Sequence, residues 1–277
     1  MTQKLCYKIA GLCIRFVSDG PLRDEEKWSE FRCTEEHVDH TVCIQWADCL
    51  PEPMEPALEE TEKICLYPGG LRLFRLRKTA PFHAASYEAY GSTRVTVLHQ
   101  NAPWGQTPRE LFDLLALPNL LIKKDRLLIH GVLIDVQGRG IIFSAPSGVG
   151  KTTQAELWVR NRNAVIVNGD RVAVGMENGQ LTAWGVPISG SSDDCLNRTL
   201  PVRAIVMLSQ GSENIVRRLP GKEAFSSLLT AAYFTPTHPQ DRQAHYASLL
   251  SVAESNRIFS FSCLPDSSAV EALEQVL

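Results

Sequence analysis

The fold is decided by the stretch Ile141-Ile142-Phe143-Ser144-Ala145-Pro146-Ser147-Gly148-Val149-Gly150-Lys151-Thr152-Thr153. Its apolar start predicts a buried strand, its centre a glycine-containing loop, and its end a helix that begins at about Gly150. A strand, a loop with Lys-Thr and a helix in this order are the setting of a Walker A phosphate-binding loop. We therefore predict an α/β fold with a P-loop nucleotide-binding domain.

The chemistry of this loop depends on its backbone and on two side chains. Successive backbone N–H groups can point inward and bind phosphate oxygens, and the positive end of the following helix adds to that attraction. Lys151 supplies a cation for the β- and γ-phosphates, and Thr152 offers its hydroxyl to Mg²⁺. The predicted nucleotide-binding residues are Ser147, Gly148, Val149, Gly150, Lys151, Thr152 and Thr153.

One position departs from the strict Walker A pattern, which has glycine where Ala145 stands. Alanine tolerates a positive φ less well than glycine, so the first turn of the loop is the weak point of the prediction. The alternative is an ordinary strand–turn–helix with a surface lysine.

A second motif follows the predicted helix, where an apolar strand over residues 164–167 ends in Asn168-Gly169-Asp170. A carboxylate at the carboxyl end of a strand can hold Mg²⁺ or accept the proton of an attacking hydroxyl. The alternative is that Asp170 is only a turn residue. The pair Asn178-Gly179 then predicts a hairpin.

Two further features are assigned to the same region. His130 precedes the loop and is predicted to face the γ-phosphate or the acceptor, although a satisfied core histidine is the alternative. Residues 184–194 are rich in small polar side chains and predict a loop over the site that excludes water, with a simple surface loop as the alternative.

The remaining chain predicts a β-rich N-terminal region over 1–105 and the P-loop domain over 106–277. In the first region we expect strands at 4–10, 12–17 and 94–99, a hairpin through Gly69-Gly70, and a short acidic helix over 55–63. In the second, Thr107 and Glu110 predict a capped helix start, and Asp266 or Ser267 caps a last helix. Helices are also expected at 221–233 and 241–253, and strands at 203–209, 214–219 and 256–262.

Composition excludes several classes of protein. The 277 residues are 44% hydrophobic and 21% charged, which excludes a disordered or collagen-like chain. With 28 Lys and Arg against 31 Asp and Glu, the net charge of −3 gives no support for a nucleic-acid or anionic-membrane partner. No apolar run is long enough for a membrane span and no secretory signal is visible, so we expect a cytoplasmic protein.

The eight cysteines include no C-x-x-C pair. We expect reduced thiols that serve as small apolar side chains. The alternative is a zinc site formed by Cys33, Cys43 and Cys49 with His37 or His40.

These motifs together resemble a known family. The matching segments are His130-Gly131-Val132-Leu133-Ile134-Asp135, Gly138-x-Gly140, Ser147-Gly148-x-Gly150-Lys151-Thr152 and Val167-x-x-Asp170-Arg171-Val172. They are similar to HPr kinase/phosphorylase, and more broadly to HPr-kinase-like proteins with the phosphoenolpyruvate-carboxykinase type of P-loop fold. The resemblance covers residues 127–184 well and continues loosely to residue 277.

The resemblance implies ATP-dependent phosphorylation of a hydroxyl, often a serine in a protein or peptide. We therefore expect an ATP- and Mg²⁺-dependent kinase that acts on a serine or threonine hydroxyl of a small protein or precursor peptide. The resemblance assigns catalysis to His130, Lys151 and Asp170, and the metal to Thr152 and Asp170. HPr kinase has two adjacent acids after this strand, whereas the first of those positions is Gly169 here. Asp193 or Asp194 is then a candidate to assist.

Two alternatives stay open. One is a kinase for a small metabolite, and the other is a nucleotide-binding regulatory module that has lost catalysis, for which Gly169 is the argument. The sequence also leaves open whether the protein forms a homo-oligomer.

Overall fold

The chain divides into two compact units in the computed structural model, which describes residues 2–34, 37–89, 93–102, 105–190, 194–234 and 239–277. The first unit comprises Met1–Leu117 and Thr235–Pro239, and the second comprises Pro118–Phe234 and Gln240–Leu277. The predicted division of the chain into domains at 105/106 stays a prediction.

The first unit is built on one eight-stranded sheet, with strand order β1-β2-β3-β8-β7-β6-β5-β4. Its strands are β1 (Gln3–Ile9), β2 (Leu12–Ser18), β3 (His40–Ala47), β4 (Glu59–Glu60), β5 (Ile64–Leu66), β6 (Arg72–Phe74), β7 (Ala84–Glu88) and β8 (Thr93–His99). Short 3-10 turns lie at Glu26–Phe31, Pro68–Gly70 and Phe112–Leu115, and α1 spans Pro108–Leu111.

Most local predictions for the first unit are confirmed. The two N-terminal strands pair antiparallel, as do β5 and β6 on either side of Gly69-Gly70. At the start of α1, Thr107 Oγ1 accepts a hydrogen bond from the Glu110 N–H (3.3 Å), while Glu110 Oε2 accepts one from the Thr107 N–H (3.2 Å). This reciprocal pair is the predicted capping box.

The acidic helix predicted over 55–63 is wrong. Glu59 and Glu60 form β4, which pairs antiparallel with β5. The Leu58 N–H donates to the Leu66 carbonyl (2.8 Å), and Arg75 Nη2 lies 2.5 Å from Glu60 Oε1. The segment therefore satisfies its backbone across the sheet edge, where a cation also compensates its charge, and the local preference for a helix is overridden.

The second unit is a mixed α/β structure. Its strands are β9 (Arg126–His130), β10 (Val132–Val136), β11 (Arg139–Ser144), β12 (Val165–Asn168), β13 (Arg171–Glu177), β14 (Gln180–Gly185), β15 (Thr199–Gln210), β16 (Ile215–Arg218), β17 (Ala232–Tyr233) and β18 (Ile258–Cys263). Its helices are α2 (Leu117–Ile122), α3 (Lys151–Arg162), α4 (Gly221–Ala231), α5 (Pro239–Ala253) and α6 (Ser267–Glu274). Only the first residue of α2 and of α5 is counted with the first unit.

The sheet of the second unit follows the order β12-β10-β11-β15-β14-β13-β9-β17, and β18 pairs with β15 and with β16. The strand before the glycine loop, β11, runs parallel to β15, which also runs parallel to β18. The hairpin predicted at Asn178-Gly179 is confirmed: β13 and β14 pair antiparallel, and both turn residues have positive φ (51° and 77°).

Both faces of this sheet are buried under helices. Phe143 belongs to an apolar cluster with Trp158 of α3 and with α6, whereas its neighbour Ile142 belongs to a second cluster with Leu228 of α4 and Leu249 of α5. Successive side chains of a strand point to opposite faces, so an uninterrupted apolar run fits a strand covered on both sides. This burial fixes β11 and therefore the start of the loop that follows it.

The apolar run over 127–136 is interrupted near its centre. It forms β9 and β10, which separate at Gly131. A Cβ on Gly131 would lie 3.1 Å from the Phe143 carbonyl oxygen, so this close approach of two backbones favours glycine. Within the described residues, no helix has the length and apolar character needed to cross a membrane.

Candidate active site

The loop between β11 and α3 turns on two glycines. Gly148 and Gly150 have positive φ (80° and 120°), and a Cβ at either position would meet no atom within 4 Å. Ala145 is not among the described residues with positive φ. The loop therefore makes its left-handed bends after Ala145, and the alanine causes no strain in the first turn.

Lys151 folds back onto the loop that precedes it. Its Nζ donates to the carbonyl oxygens of Ala145 (2.9 Å) and Pro146 (3.2 Å), and the residue is 9% exposed. Burial lowers the pKa of its ammonium group, and the opposite charge of Asp170 acts against that shift. The ammonium group is thus bound by two backbone carbonyls of the loop, which are dipoles without a full negative charge.

The first turn of α3 leaves backbone donors for a ligand. The first intrahelical hydrogen bond runs from the Gln154 N–H to the Gly150 carbonyl (3.0 Å). By helix geometry, the amides of Lys151, Thr152 and Thr153 precede that bond and have no partner within the helix. Together with the helix dipole they favour an anion at this end.

Asp170 is fixed by its main chain on two sides. Its carbonyl accepts a hydrogen bond from the Gly131 N–H (2.9 Å). Asn168 Oδ1 accepts from the N–H groups of Asp170 (3.1 Å) and Arg171 (3.0 Å), while Asn168 Nδ2 donates to the Val186 carbonyl (2.6 Å). These main-chain contacts position the Asp170 carboxylate, whose Oδ2 lies 3.4 Å from Arg171 Nε.

His130 lies beside this carboxylate, with its Nε2 3.5 Å from Asp170 Oδ1. Its carbonyl accepts a hydrogen bond from Ser144 Oγ (2.7 Å), so β9 is tied to the end of β11. Burial, followed by the charge of Lys151, lowers the pKa of the His130 imidazole; Asp170 raises it and Arg171 lowers it further. A neutral imidazole at this position can accept or donate one hydrogen bond.

One cavity of about 340 Å³ joins these groups. It is lined by His130, Ser147, Gly148, Gly150, Lys151, Thr152, Thr153, Gly169, Asp170 and Gly190. All predicted site residues except Val149 therefore face one space. Val149 lies on the other side of the loop, in an adjacent cavity of about 390 Å³ that also includes Gln210 and Leu264.

Asp193 and Asp194 are the two acids that were proposed to assist Asp170. Asp194 contributes its main chain, because its carbonyl accepts the Gly169 N–H (3.3 Å). Asp193 lies outside the described residues.

Sequence reasoning missed three residues that shape the site. Asn168, which is completely buried, holds the turn at Asp170, and the Asn-Gly-Asp pattern was the signal, since asparagine side chains commonly bond the backbone two residues on. Ser144 joins β9 to β11 without any local signal. Gly190 packs against Asp170, where a Cβ would lie 3.1 Å from the Asp170 Cβ.

Comparison with known proteins agrees with these motifs. The chain is 30% identical over 119 residues to HPr kinase/phosphorylase of Streptococcus agalactiae, which covers 43% of this chain and 35% of that protein. It is 32% identical over 81 residues to the HPr kinase/phosphorylase of Streptococcus gordonii, covering 29% of this chain and 24% of that protein.

Over these segments the chain is similar to HPr kinase/phosphorylases. No protein-family profile matches it. The chain spans 35% of the length of the Streptococcus agalactiae relatives that it matches. The Hpr(Ser) kinase/phosphatase from Coxiella burnetii aligns structurally over 46% of this chain and 90% of that chain, with 15% identity and a TM-score of 0.25.

Proposed function

We propose that this HPr kinase-like chain is an ATP- and Mg²⁺-dependent kinase that transfers the γ-phosphate to a serine or threonine hydroxyl of a small protein or precursor peptide. Residues 106–277 would form its P-loop domain, of the HPr kinase and phosphoenolpyruvate-carboxykinase type. The observation that carries the proposal is the single cavity that joins Lys151, Thr152, Asp170 and His130.

The residues of the cavity fit a polyphosphate and a magnesium ion. The bends at Gly148 and Gly150 leave open space where side chains would otherwise stand, so phosphate oxygens can approach the backbone. Lys151 has carbonyl partners that an anion can replace. The Thr152 hydroxyl and the Asp170 carboxylate are oxygen ligands of the kind that Mg²⁺ prefers.

When bound, ATP with Mg²⁺ supplies the phosphoryl group and neutralises part of its charge. Lys151 exchanges its two carbonyl contacts for phosphate oxygens, and the amides at the start of α3 orient the phosphates. Asp170 either ligates the metal or accepts the proton of the acceptor hydroxyl. His130 borders the same carboxylate and holds its position. Such a site works mainly by placement and charge neutralisation.

A neighbouring cavity supports a protein or peptide as the acceptor. It has a volume of about 480 Å³ and shares His130 with the first cavity, and its other lining includes Met207, Leu208 and Ala231. Apolar side chains beside the reacting centre give a peptide residue next to the acceptor hydroxyl a place to bind. The relatives are named for their action on HPr, which for those enzymes is a protein substrate.

Replacing Lys151 by alanine tests the proposal, with Lys222→Ala at an exposed position of α4 as the matched control. Calorimetry with Mg-ATP measures binding, and γ-labelled ATP with a serine- and threonine-containing peptide array measures transfer. We expect Lys151→Ala to abolish both and Lys222→Ala to keep both. Undiminished turnover in Lys151→Ala would overturn the assignment. If the wild-type protein binds Mg-ATP but transfers phosphate to no hydroxyl of the array, the result would support the regulatory module instead.

A further inference from the structure

Three cysteines from separate segments of the first unit meet at one point. Cys6 lies on β1, Cys13 on β2, and Cys33 just after the 3-10 turn at Glu26–Phe31. Their sulfur atoms all lie within 4.8 Å of one another, and Cys6 and Cys13 are buried. The set differs from the zinc ligands considered from the sequence: Cys33 belongs to it, whereas Cys43 and Cys49 do not.

The main chain sets these positions. The Cys33 N–H donates to the Cys6 carbonyl (3.1 Å), and Tyr7 forms a β-bridge with Arg32, so the segment around Cys33 is joined to β1. The Cys13 N–H donates to Asp39 Oδ2 (2.9 Å). Because these hydrogen bonds hold each segment, the fold itself brings the three thiols together.

The sulfur spacing suits a metal ion. Zinc–sulfur bonds of about 2.3 Å in a tetrahedron require sulfur atoms roughly 3.8 Å apart. The Cys13 and Cys33 sulfurs are 3.3 Å apart, well beyond the roughly 2.05 Å of a disulfide bond. Three thiolates form a soft ligand set that selects zinc over magnesium or calcium.

We propose that Cys6, Cys13 and Cys33 bind one zinc ion through their thiolates, with water in the fourth position. Binding releases three thiol protons to solvent, since only the thiolate ligates the metal. The ion joins β1, β2 and the segment after the 3-10 turn, so it stabilises the first unit. This site is separate from the nucleotide chemistry, and its test does not depend on kinase activity.

The full-length chain, reduced and freed of metal with a chelator, is titrated with Co²⁺ as a spectroscopic probe and then with Zn²⁺. We expect one equivalent of Co²⁺ to give a thiolate-to-metal charge-transfer band, which Zn²⁺ then removes. Cys6→Ser, Cys13→Ser and Cys33→Ser should each weaken binding by more than the roughly 10- to 100-fold that loss of an outer-shell partner causes. Cys49→Ser, at an exposed cysteine of the same unit, is the matched control and should bind as the wild type does.

Alkylation of the wild-type protein avoids the risk that a variant misfolds. Zinc should protect Cys33, the partly exposed thiol of the cluster, from an alkylating reagent, while the exposed Cys49 reacts at the same rate with and without metal, as read by mass spectrometry. Absence of a stoichiometric metal site, or equal protection of Cys49, would overturn the proposal. So would a Cys13–Cys33 disulfide that forms in air even when zinc is present.

Discussion

His130 Nε2 lies 3.5 Å from Asp170 Oδ1 because the antiparallel register of β9 and β13 sets His130 opposite Arg171, the residue next to Asp170. Two distant parts of the sequence thus meet at one carboxylate. The contact is made by side chains, whereas the hydrogen bond from the Gly131 N–H to the Asp170 carbonyl is made by main chain. The chemistry of Asp170 can therefore be changed without removing its anchor.

Replacement of Asp170 by asparagine should lower phosphoryl transfer by at least about 10²-fold, the usual contribution of a positioned acid or base. The fold should persist, because the contacts of residue 170 with Gly131 and Asn168 use backbone atoms. Steady-state kinetics over a Mg²⁺ titration separates the two roles: loss of a metal ligand raises the Mg²⁺ requirement, and loss of a base lowers kcat alone. If Asp194→Asn removes transfer while Asp170→Asn keeps it, the assignment of Asp170 is wrong.

Gly190→Ala tests how closely the Asp170 carboxylate is positioned. The added Cβ would lie 3.1 Å from the Asp170 Cβ and 3.4 Å from its Cγ, so the carboxylate must shift by a few tenths of an ångström. We expect turnover to fall roughly three- to tenfold, since a misplacement of 1 Å costs about 10²-fold. Gly221→Ala is the control, because a Cβ there meets no atom within 4 Å. Equal effects of the two substitutions would contradict this account.

Ala145→Gly restores the strict Walker A pattern, yet we expect no gain in nucleotide affinity. Ala145 is not at positive φ, and its methyl group is buried in the cluster of Phe143 and Trp158. Its loss should lower the free energy of unfolding by about 1 kcal/mol. Calorimetry with Mg-ATP and urea unfolding measure the two effects. In contrast, Gly150→Ala places a side chain at φ 120° and should weaken binding; tighter binding by Ala145→Gly would refute the argument.

His245 predicts how the stability of the second unit depends on pH. It is 2% exposed and stacks on Phe234 with ring centroids 4.1 Å apart, and within the described part of the chain its Nδ1 has no hydrogen-bond partner. Burial lowers its pKa from the usual 6.5 to about 4. The unfolded chain therefore binds the proton more readily than the folded chain between these values.

The stabilising contribution is present above pH 6.5 and is lost as the pH falls towards 4, by up to about 3 kcal/mol. Urea unfolding between pH 4 and 7 should show a smaller acid loss in His245→Gln than in the wild type. His37→Gln is the control, since the His37 side chain is 86% exposed. An identical acid loss in wild type and His245→Gln would show that another group controls this transition.

Features set by neighbours in the sequence could be predicted. The turn at Asn178-Gly179, the capping box of Thr107 and Glu110, and the cap of α6, where Asp266 Oδ1 accepts the Ser268 N–H (2.9 Å), each depend on residues at most three positions apart. The glycine loop belongs to the same class, because its strand, turn and helix are continuous in the chain.

Features set by distant partners could not be predicted. The acidic segment at Glu59–Glu60 is a strand because it pairs antiparallel with β5, a contact that the local sequence does not indicate. Similarly, nothing near Gly190 in the sequence indicates that Asp170 packs against it. The cysteine cluster is the clearest case, since Cys6 and Cys13 are brought together by the pairing of β1 with β2, and Cys33 by the bridge between Tyr7 and Arg32.

The hydrogen bonds from Lys151 Nζ to two loop carbonyls add a free-energy cost to the binding of any anion in the loop. An incoming anion replaces two existing hydrogen bonds before it gains any net attraction, and it must also be stripped of its hydration. A lone orthophosphate has few oxygens with which to compensate for that exchange. If the loop binds phosphate as we propose, a chain of linked phosphates would reach the lysine and the helix amides together, and binding would be selective for length as well as for charge.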